Sequence, residues 1–397
     1  MKVTKRVQTI EYAIRDVISH AKDVAKTGRK IFYLNIGDPL AYDFDTPQHI
    51  KRALIEAVKN GENAYSPSEG IAELRNAISA KEKRVNKVEI HATDIIVTSG
   101  ISEGIQMIMA TLIEEGQEVL LPGPTYPPYI SYTKFFEGIP VTYKTSEDNN
   151  WEPDIDDLRR KISEKTKALV IINPNNPCGA LYKESTLKDI VDLAGEKGIP
   201  IISDEIYDQI VFEKEFISIA KMARDVPVIG LNGFSKVYLM TGWRLGYIYF
   251  HEQNDELTEL KAGVIKEARI RLCTNTPVQK AGIAALNGPQ DHIKDLVDKL
   301  KRRRDYTIKR LNDIEGLSCT NPKAAFYVFP KIHEIGLRWK TDQEFGLELL
   351  KKTGVLFVHG SGFDPIHGKS HFRGVFLPPI EKLEEAFNKV ELFMRKK

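Results

Sequence analysis

Cysteine is scarce in this chain of 397 residues: three occur, Cys178, Cys273 and Cys319, too few and too far apart for a disulfide framework or a thiolate metal site. The histidines are equally scattered, so metal chemistry is not expected. No apolar run approaches the roughly 20 residues that a bilayer-spanning helix needs. The opening Met-Lys-Val-Thr-Lys-Arg leads into a polar amphipathic stretch and not an apolar signal core, which makes the cytoplasm the expected location. An excess of one charge is lacking too. The 57 basic residues face 55 acidic ones, with no cationic tail, so nothing electrostatic recruits nucleic acid or an anionic membrane. Internal repeats, low-complexity tracts and flexible linkers are also missing. What is there is a 42% hydrophobic composition in a chain long enough for about two or three units on the usual size scale.

Strand-like apolar runs recur at residues 95–98, 118–121, 141–143, 168–172, 200–203, 228–231 and 246–250, mostly with helical segments between them. Short buried runs alternating with helices predict an α/β body: a mainly parallel seven-stranded sheet covered on both faces, three layers in all. In such sheets ligands sit at strand ends. Thr46 followed by Pro47 predicts a helix start, with the helix running to Asn60 and Gly61. After about Leu286 the pattern changes to long charged helices at 292–315, 342–352 and 381–397, with short extended pieces at 326–329, 355–358 and 372–377. These predict a smaller α+β unit closing over the larger one. A helix over 10–26 and the extended segment from Ile31 are expected to pack with it. The expected domains are residues 46–286, and residues 1–45 together with 287–397.

Five stretches at strand ends carry chemistry. Residues 233–247 read Gly-Phe-Ser-Lys-Val-Tyr-Leu-Met-Thr-Gly-Trp-Arg-Leu-Gly-Tyr and connect two core strands. A lone lysine is usually solvated surface, but Lys236 stands among small and apolar residues, where desolvation favours the free amine that attacks a carbonyl. Arg244 cannot lose its charge and suits a permanent anion such as phosphate. Residues 98–106, Thr-Ser-Gly-Ile-Ser-Glu-Gly-Ile-Gln, run from strand to helix through small residues. That is a phosphate cup of backbone N–H groups, or a plain helix start capped by Ser102. In Gly123-Pro-Thr-Tyr-Pro-Pro-Tyr the prolines stiffen a loop that holds Tyr126 against a planar ring or in the core. Ile172-Asn-Pro-Asn-Asn-Pro-Cys-Gly is rich in turn residues, which account for most of it but not obviously for Asn176. Ile201-Ile-Ser-Asp-Glu-Ile-Tyr-Asp places Asp204 and Tyr207 at the end of a buried strand, where a carboxylate needs a cationic partner. Gly37, in Leu34-Asn-Ile-Gly-Asp-Pro, serves a turn or lets backbone approach a ligand.

An amine, a phosphate cup, an aromatic plate, an amide and a carboxylate in this order resemble the class I/II aminotransferases, pyridoxal 5′-phosphate enzymes of fold type I. The resemblance runs from Glu11-Tyr-Ala-Ile-Arg-Asp to Phe372-Arg-Gly-Val-Phe-Leu-Pro-Pro. Leu34-Asn-Ile-Gly-Asp-Pro, Asn173-Pro-Asn-Asn-Pro, Asn232-Gly-Phe-Ser-Lys and Leu356-Phe-Val-His-Gly-Ser-Gly-Phe are similar to the alanine aminotransferases of archaea and some bacteria. The resemblance implies that Lys236 joins the cofactor aldehyde as an imine and shuttles a proton. It makes Asp204 the partner of the pyridine nitrogen, Asn176 and Tyr207 the partners of the phenolic oxygen, and Tyr126 the stacking ring. Phosphate would be held by Gly100, Ile101, Ser235 and Arg244, with Tyr65 reaching in from a neighbouring subunit of a homodimer with shared sites. Arg373, with Gly37 close by, would clamp the substrate carboxylate, and Arg271 is the expected cation for the second carboxylate of glutamate. The implied reaction moves an amino group between a small amino acid, alanine foremost, and 2-oxoglutarate by a ping-pong route. Aspartate or broad-range transamination and carbon–sulfur lysis are the rivals on the same scaffold. A cofactor-binding regulator would carry a DNA-binding module ahead of the enzyme-like part, and about thirty residues before Ile31 leave no room for one. Two positions depart from the family: Gly233 stands where serine is frequent and Cys178 where threonine is common.

Overall fold

The computed structural model describes residues 1–8, 10 and 12–395. Glu11, which opens the first family-like motif, and Lys396 and Lys397, which end the last expected helix, lie outside the described residues, as does Thr9.

Eight strands form the main sheet: β1 (Ile95–Thr98), β2 (Glu118–Gly123), β3 (Ile139–Ser146), β4 (Glu152–Pro153), β5 (Thr166–Ile172), β6 (Ile201–Asp204), β7 (Val228–Gly233) and β8 (Gly246–His251). Their order is β1-β8-β7-β6-β5-β2-β3-β4. Strands β3, β2, β5, β6 and β7 run parallel, whereas β8 is antiparallel to both its neighbours. Seven of the eight fall on the expected runs. The extra one, β4, is a two-residue edge paired antiparallel through Thr145 with Pro153 and Ser146 with Glu152. Glu-Pro has no apolar signature, and proline at an edge position loses no ladder bond.

The runs are continuous because both faces of the sheet are covered. Along β5, Leu169 and Ile171 enter one hydrophobic core while Ala168, Val170 and Ile172 enter the other. The same alternation separates Ile201 from Ile202 and Val228 from Ile229. Two expected caps fall elsewhere. The helix after Pro47 spans Gln48–Lys59, and the Thr46 hydroxyl donates across the molecule to the Leu239 carbonyl instead of capping it. The helix Ile101–Leu112 starts at Gly100, whose φ of +76° is open to glycine at little cost, and not at Ser102.

The remaining strands are short. Phe32–Tyr33 pairs parallel with Val355–Leu356, tying the N-terminal segment to the C-terminal third. Phe372–Val375 lies between Tyr327–Val328 and Val358–His359, antiparallel to both. Helices Ala13–Ala25, Asp291–Asp313, Asp342–Thr353 and Ile380–Arg395 pack around them. The C-terminal ends of β2, β5, β6 and β7 and the start of the Ile101 helix thus open on one side, beneath the turn at Gly37 and the strand of Arg373.

Candidate active site

A cavity of about 460 Å³ lies where these strand ends meet the Gly37 turn and the Phe372–Val375 strand. Lys236, three residues past β7, points its Nζ into it and donates to the Gly37 carbonyl at 2.7 Å. Burial drives its amine down from 10.5 to about 8; the Asp38 carboxylate opposes the drop, and the Arg373 and Arg244 cations add to it. Asp204, the last residue of β6, is 1% exposed and lines the same cavity. Its oxygens accept from the Tyr129 hydroxyl at 3.1 Å and the Ile206 N–H at 3.3 Å, yet burial still raises its carboxyl to about 7. These hydrogen bonds and the charge of Lys236 hold the carboxyl down only in part, and burial outweighs them.

Arg373 is 1% exposed, clasped between the rings of Tyr327 and Phe363 at 4.6 and 4.8 Å from guanidinium carbon to ring centre. Its Nη1 donates to Asn176 Oδ1 at 2.9 Å and its Nη2 to the Asn35 carbonyl, while its buried Nε has no partner. Such a fork, rigidly held and one donor short, suits a carboxylate. Asn176, its oxygen committed to Arg373, keeps its Nδ2 as a donor. Tyr207 shares a 2.7 Å hydroxyl contact with Tyr327, and Tyr126 one of 3.3 Å with Tyr12.

At the opposite end, Ile101 and Ser102 open a twelve-residue helix whose first N–H groups lack intrahelical acceptors. The Gly100 N–H does not join them, since it donates back to the Thr98 carbonyl at 2.8 Å. Gly100 contributes space instead, because a Cβ there would strike the Arg244 guanidinium. Arg244 donates to the Thr241 carbonyl at 2.9 Å and approaches the Ser235 hydroxyl and Ser99 carbonyl at 3.5 Å. Gly37 is required by packing, since a Cβ would collide with the Tyr327 hydroxyl.

Three of the expected residues do not line this cavity: Gly100, which stands against the Arg244 guanidinium, Tyr65 and Arg271. Tyr65 lies on a loop with 83% of its surface exposed. Arg271 donates from Nη2 to the carbonyls of Ser68 and Val97, both at 3.2 Å, and its Nε lies 3.7 Å from Glu103 Oε1. Its guanidinium is thus drawn to its own chain's loop and helix, away from the cavity of that chain. Sequence reading overlooked Asp38, Tyr129, Tyr327, Tyr12 and Arg15. The tyrosines have no local pattern that marks them. Asp38 is a helix-turn cap bonded to Leu40 N–H and the Thr241 hydroxyl, and Arg15 looks like any exposed cation on an amphipathic helix.

The arrangement fits an aldehyde cofactor with a phosphate and a basic ring nitrogen. An amine of lowered basicity, a buried carboxyl without an ion-pair partner, an unengaged amide donor and a helix start beside an arginine face one space. The family described as "Aminotransferase class I and II" matches residues 29–390. The chain is a class I/II aminotransferase. A glutamate-pyruvate aminotransferase of Haemophilus influenzae is 36% identical to it over 98% of this chain and 97% of the other. An alanine aminotransferase structure from Pyrococcus furiosus is 53% identical, with full coverage of both chains and a TM-score of 0.97. An aspartate aminotransferase structure from Thermus thermophilus superposes with a TM-score of 0.90 at 29% identity over 99% of each chain. The enzyme has the fold-type-I architecture and depends on pyridoxal 5′-phosphate.

Both departures from the family pattern have local explanations in this aminotransferase. A Cβ at Gly233 would lie 3.0 Å from Gly246 Cα and the Leu245 carbonyl, so the backbone closes over the place a serine would need. Cys178, buried, donates its Sγ–H to Asn175 Oδ1 at 3.0 Å, a bond a threonine hydroxyl would also make.

Proposed function

We propose that this aminotransferase exchanges amino groups between alanine and 2-oxoglutarate, releasing pyruvate and glutamate in alternating half-reactions. The similarity over the full chain length to proteins named for that exchange supports the reading. The observation that carries it is the pairing of Lys236 and Asp204 in one cavity, both with protonation displaced by burial. The cofactor, when bound, supplies an electron sink for the bond broken at the substrate Cα. Asp204, at the β6 end, would keep the cofactor's ring nitrogen protonated, with Tyr129 and the Ile206 N–H holding the carboxylate in place. Lys236 Nζ takes and returns the Cα proton, which its lowered basicity near neutral pH permits. Tyr126 would cover the ring, and Asn176 and Tyr207 would donate to its phenolic oxygen. Ile101, Ser235 and Arg244 hold the phosphate, with Gly100 giving Arg244 room. Arg373 grips the α-carboxylate with its guanidinium, and Gly37 admits it.

Glutamate brings a second carboxylate. Arg15, exposed on the Ala13–Ala25 helix and lining the cavity, is the cation in reach within the chain, in place of Arg271. Residues 1–45 with 287–397 act as the small domain over residues 46–286, and the working unit is a cytoplasmic homodimer whose sites share Tyr65. No helix among the described residues is long and apolar enough to cross a membrane.

The test is a donor screen on the holoenzyme: 2-oxo acid formed from alanine, aspartate or cystathionine, with and without 2-oxoglutarate. Pyruvate from alanine only with the acceptor present is the expected result; a stronger aspartate reaction, or acceptor-independent cleavage of cystathionine, would overturn it. Arg15→Ala should raise KM for glutamate and 2-oxoglutarate about tenfold or more while sparing alanine, and Arg271→Ala should leave the alanine-to-glutamate preference unchanged.

A further inference from the structure

The loop that carries Tyr65 joins the helices Gln48–Lys59 and Ala72–Lys81 without secondary structure of its own, yet it is tied down along its length. Four of the hydrogen bonds come from residues 271–279, and the Val97 N–H adds one to the Glu69 carbonyl at 2.9 Å. The Thr276 hydroxyl donates to the Ala64 carbonyl at 2.8 Å. Gln279, fully buried, donates from Nε2 to the Ser66 hydroxyl at 2.9 Å and accepts at Oε1 from the Ile71 N–H at 2.9 Å. Arg271 Nη2 holds the Ser68 carbonyl and, from the same atom, the end of β1 at Val97. Gly70, at φ +102°, lets the loop close on Gln279, since a Cβ there would run into Val97. Both neighbours of Tyr65 are therefore fixed while its own ring projects into solvent.

Ordering a loop costs conformational entropy, and an aromatic ring held out in water returns none of it. Nearby, Ile270 and Leu272, which flank Arg271, are 80% and 53% exposed, and Leu272 is held at φ +79°, a conformation unfavourable for a leucine. Ties on both sides of an outward tyrosine, next to exposed aliphatic side chains, suit contact with another protein surface.

We propose that Gln279, Thr276 and Arg271 are positioning residues that hold Tyr65 outward so that its hydroxyl completes the cofactor-phosphate site of a second copy of this chain. The inference rests on the shared-site reading above. It also gives Arg271 its role: the residue acts on the partner's cofactor through the loop and not on the substrate's second carboxylate.

Hybrid dimers test it. Cofactor dissociation constants are measured from the visible absorbance of Tyr65→Phe, Gln279→Ala and Thr276→Val homodimers. Each variant chain is then paired with a Lys236→Ala chain, and the cofactor fixed covalently by borohydride is counted. Each homodimer should bind cofactor about tenfold more weakly, the scale of one hydrogen bond to a charged group. In the hybrids, the chain with an intact lysine receives an intact loop from its partner, so one site per dimer should regain wild-type affinity. A Gln279→Ala hybrid whose lysine-bearing site stays weak would mean that Gln279 acts within its own subunit, and the inference falls. The same holds if Tyr65→Phe weakens binding but Gln279→Ala and Thr276→Val do not. Unchanged affinity in Tyr65→Phe removes both the inference and the shared site on which it rests. Should Gln279→Ala fail to fold, Thr276→Val, which loses one hydroxyl and keeps its volume, carries the same comparison.

Discussion

Replacing Asp204 with asparagine should stabilise the cofactor-free protein and at the same time weaken the cofactor's hold. Burial raises the Asp204 carboxyl from its ordinary 3.8 to about 7. With the folded value above the unfolded one, the folded chain keeps a proton between about pH 4 and pH 7 that the open chain has released. Stability therefore falls as pH climbs through that window and is level above it. At 1.36 kcal/mol for each tenfold change in proton affinity, the full penalty at pH 8 is on the order of 4 kcal/mol. Asparagine has no proton to lose. Its oxygen can accept from Ile206 N–H and its amide can donate to the Tyr129 hydroxyl, which serves as donor or acceptor, so the local bonds survive in altered polarity. Chemical denaturation of the cofactor-free proteins should show Asp204→Asn ahead of wild type by roughly 2 to 4 kcal/mol at pH 8, with the gap shrinking towards pH 5. Saturating cofactor should narrow the gap, because only the carboxylate forms a charge-assisted bond with a protonated ring nitrogen, worth about 1.5–3 kcal/mol. If the variant shows no advantage at pH 8, or the same advantage at both pH values, burial is not what governs this carboxyl and the reasoning fails.

Two further outcomes follow from the same geometry. In cofactor-free protein, labelling of Lys236 by an amine-directed reagent should be half-maximal near pH 8, where its amine gives up its proton; peptide mapping across pH checks this, and a midpoint near 10 would show that the side chain is solvated. Arg373→Lys should raise KM for alanine and glutamate alike by roughly ten- to a hundredfold, since a lysine cannot make the two-pronged contact. The visible cofactor band should stay in place, and a lost band would mean that Arg373 supports the cofactor instead.

The main sheet was legible because its central strands are buried on both faces, and five consecutive strand ends carried groups that burial makes reactive. Lys236 and Asp204 could be named from that logic alone. Arg373 could not: its strand is four residues long, its guanidinium is boxed by Tyr327 and Phe363, and only the family likeness singled it out. Tyr327 and Asp38 come from a two-residue strand and a turn, elements too short to leave a periodic signal. Gly100 was expected to donate in a phosphate cup, but its N–H turns back to the Thr98 carbonyl, a direction tied to a positive φ that spacing does not encode. Arg271 illustrates the same limit on a larger scale. Position in the chain drew attention to its loop, while the carbonyls of Ser68 and Val97 decided where the guanidinium points.

Asp204, Lys236 and Arg373 also share an energetic condition. Each is buried in a way that leaves it poorly satisfied: a carboxyl with no ion-pair partner, an amine stripped of part of its basicity, a guanidinium with an unpartnered Nε. Separately these are costs to the fold. They converge on one cavity, so a ligand that brings a ring N–H, an aldehyde and, with substrate, a carboxylate relieves them together. The cavity is therefore held open against the chain's own stability, and cofactor binding and folding are coupled through the groups that perform the reaction. That coupling is why the substitution that frees the empty protein from strain at Asp204 should be the one that harms the loaded enzyme most.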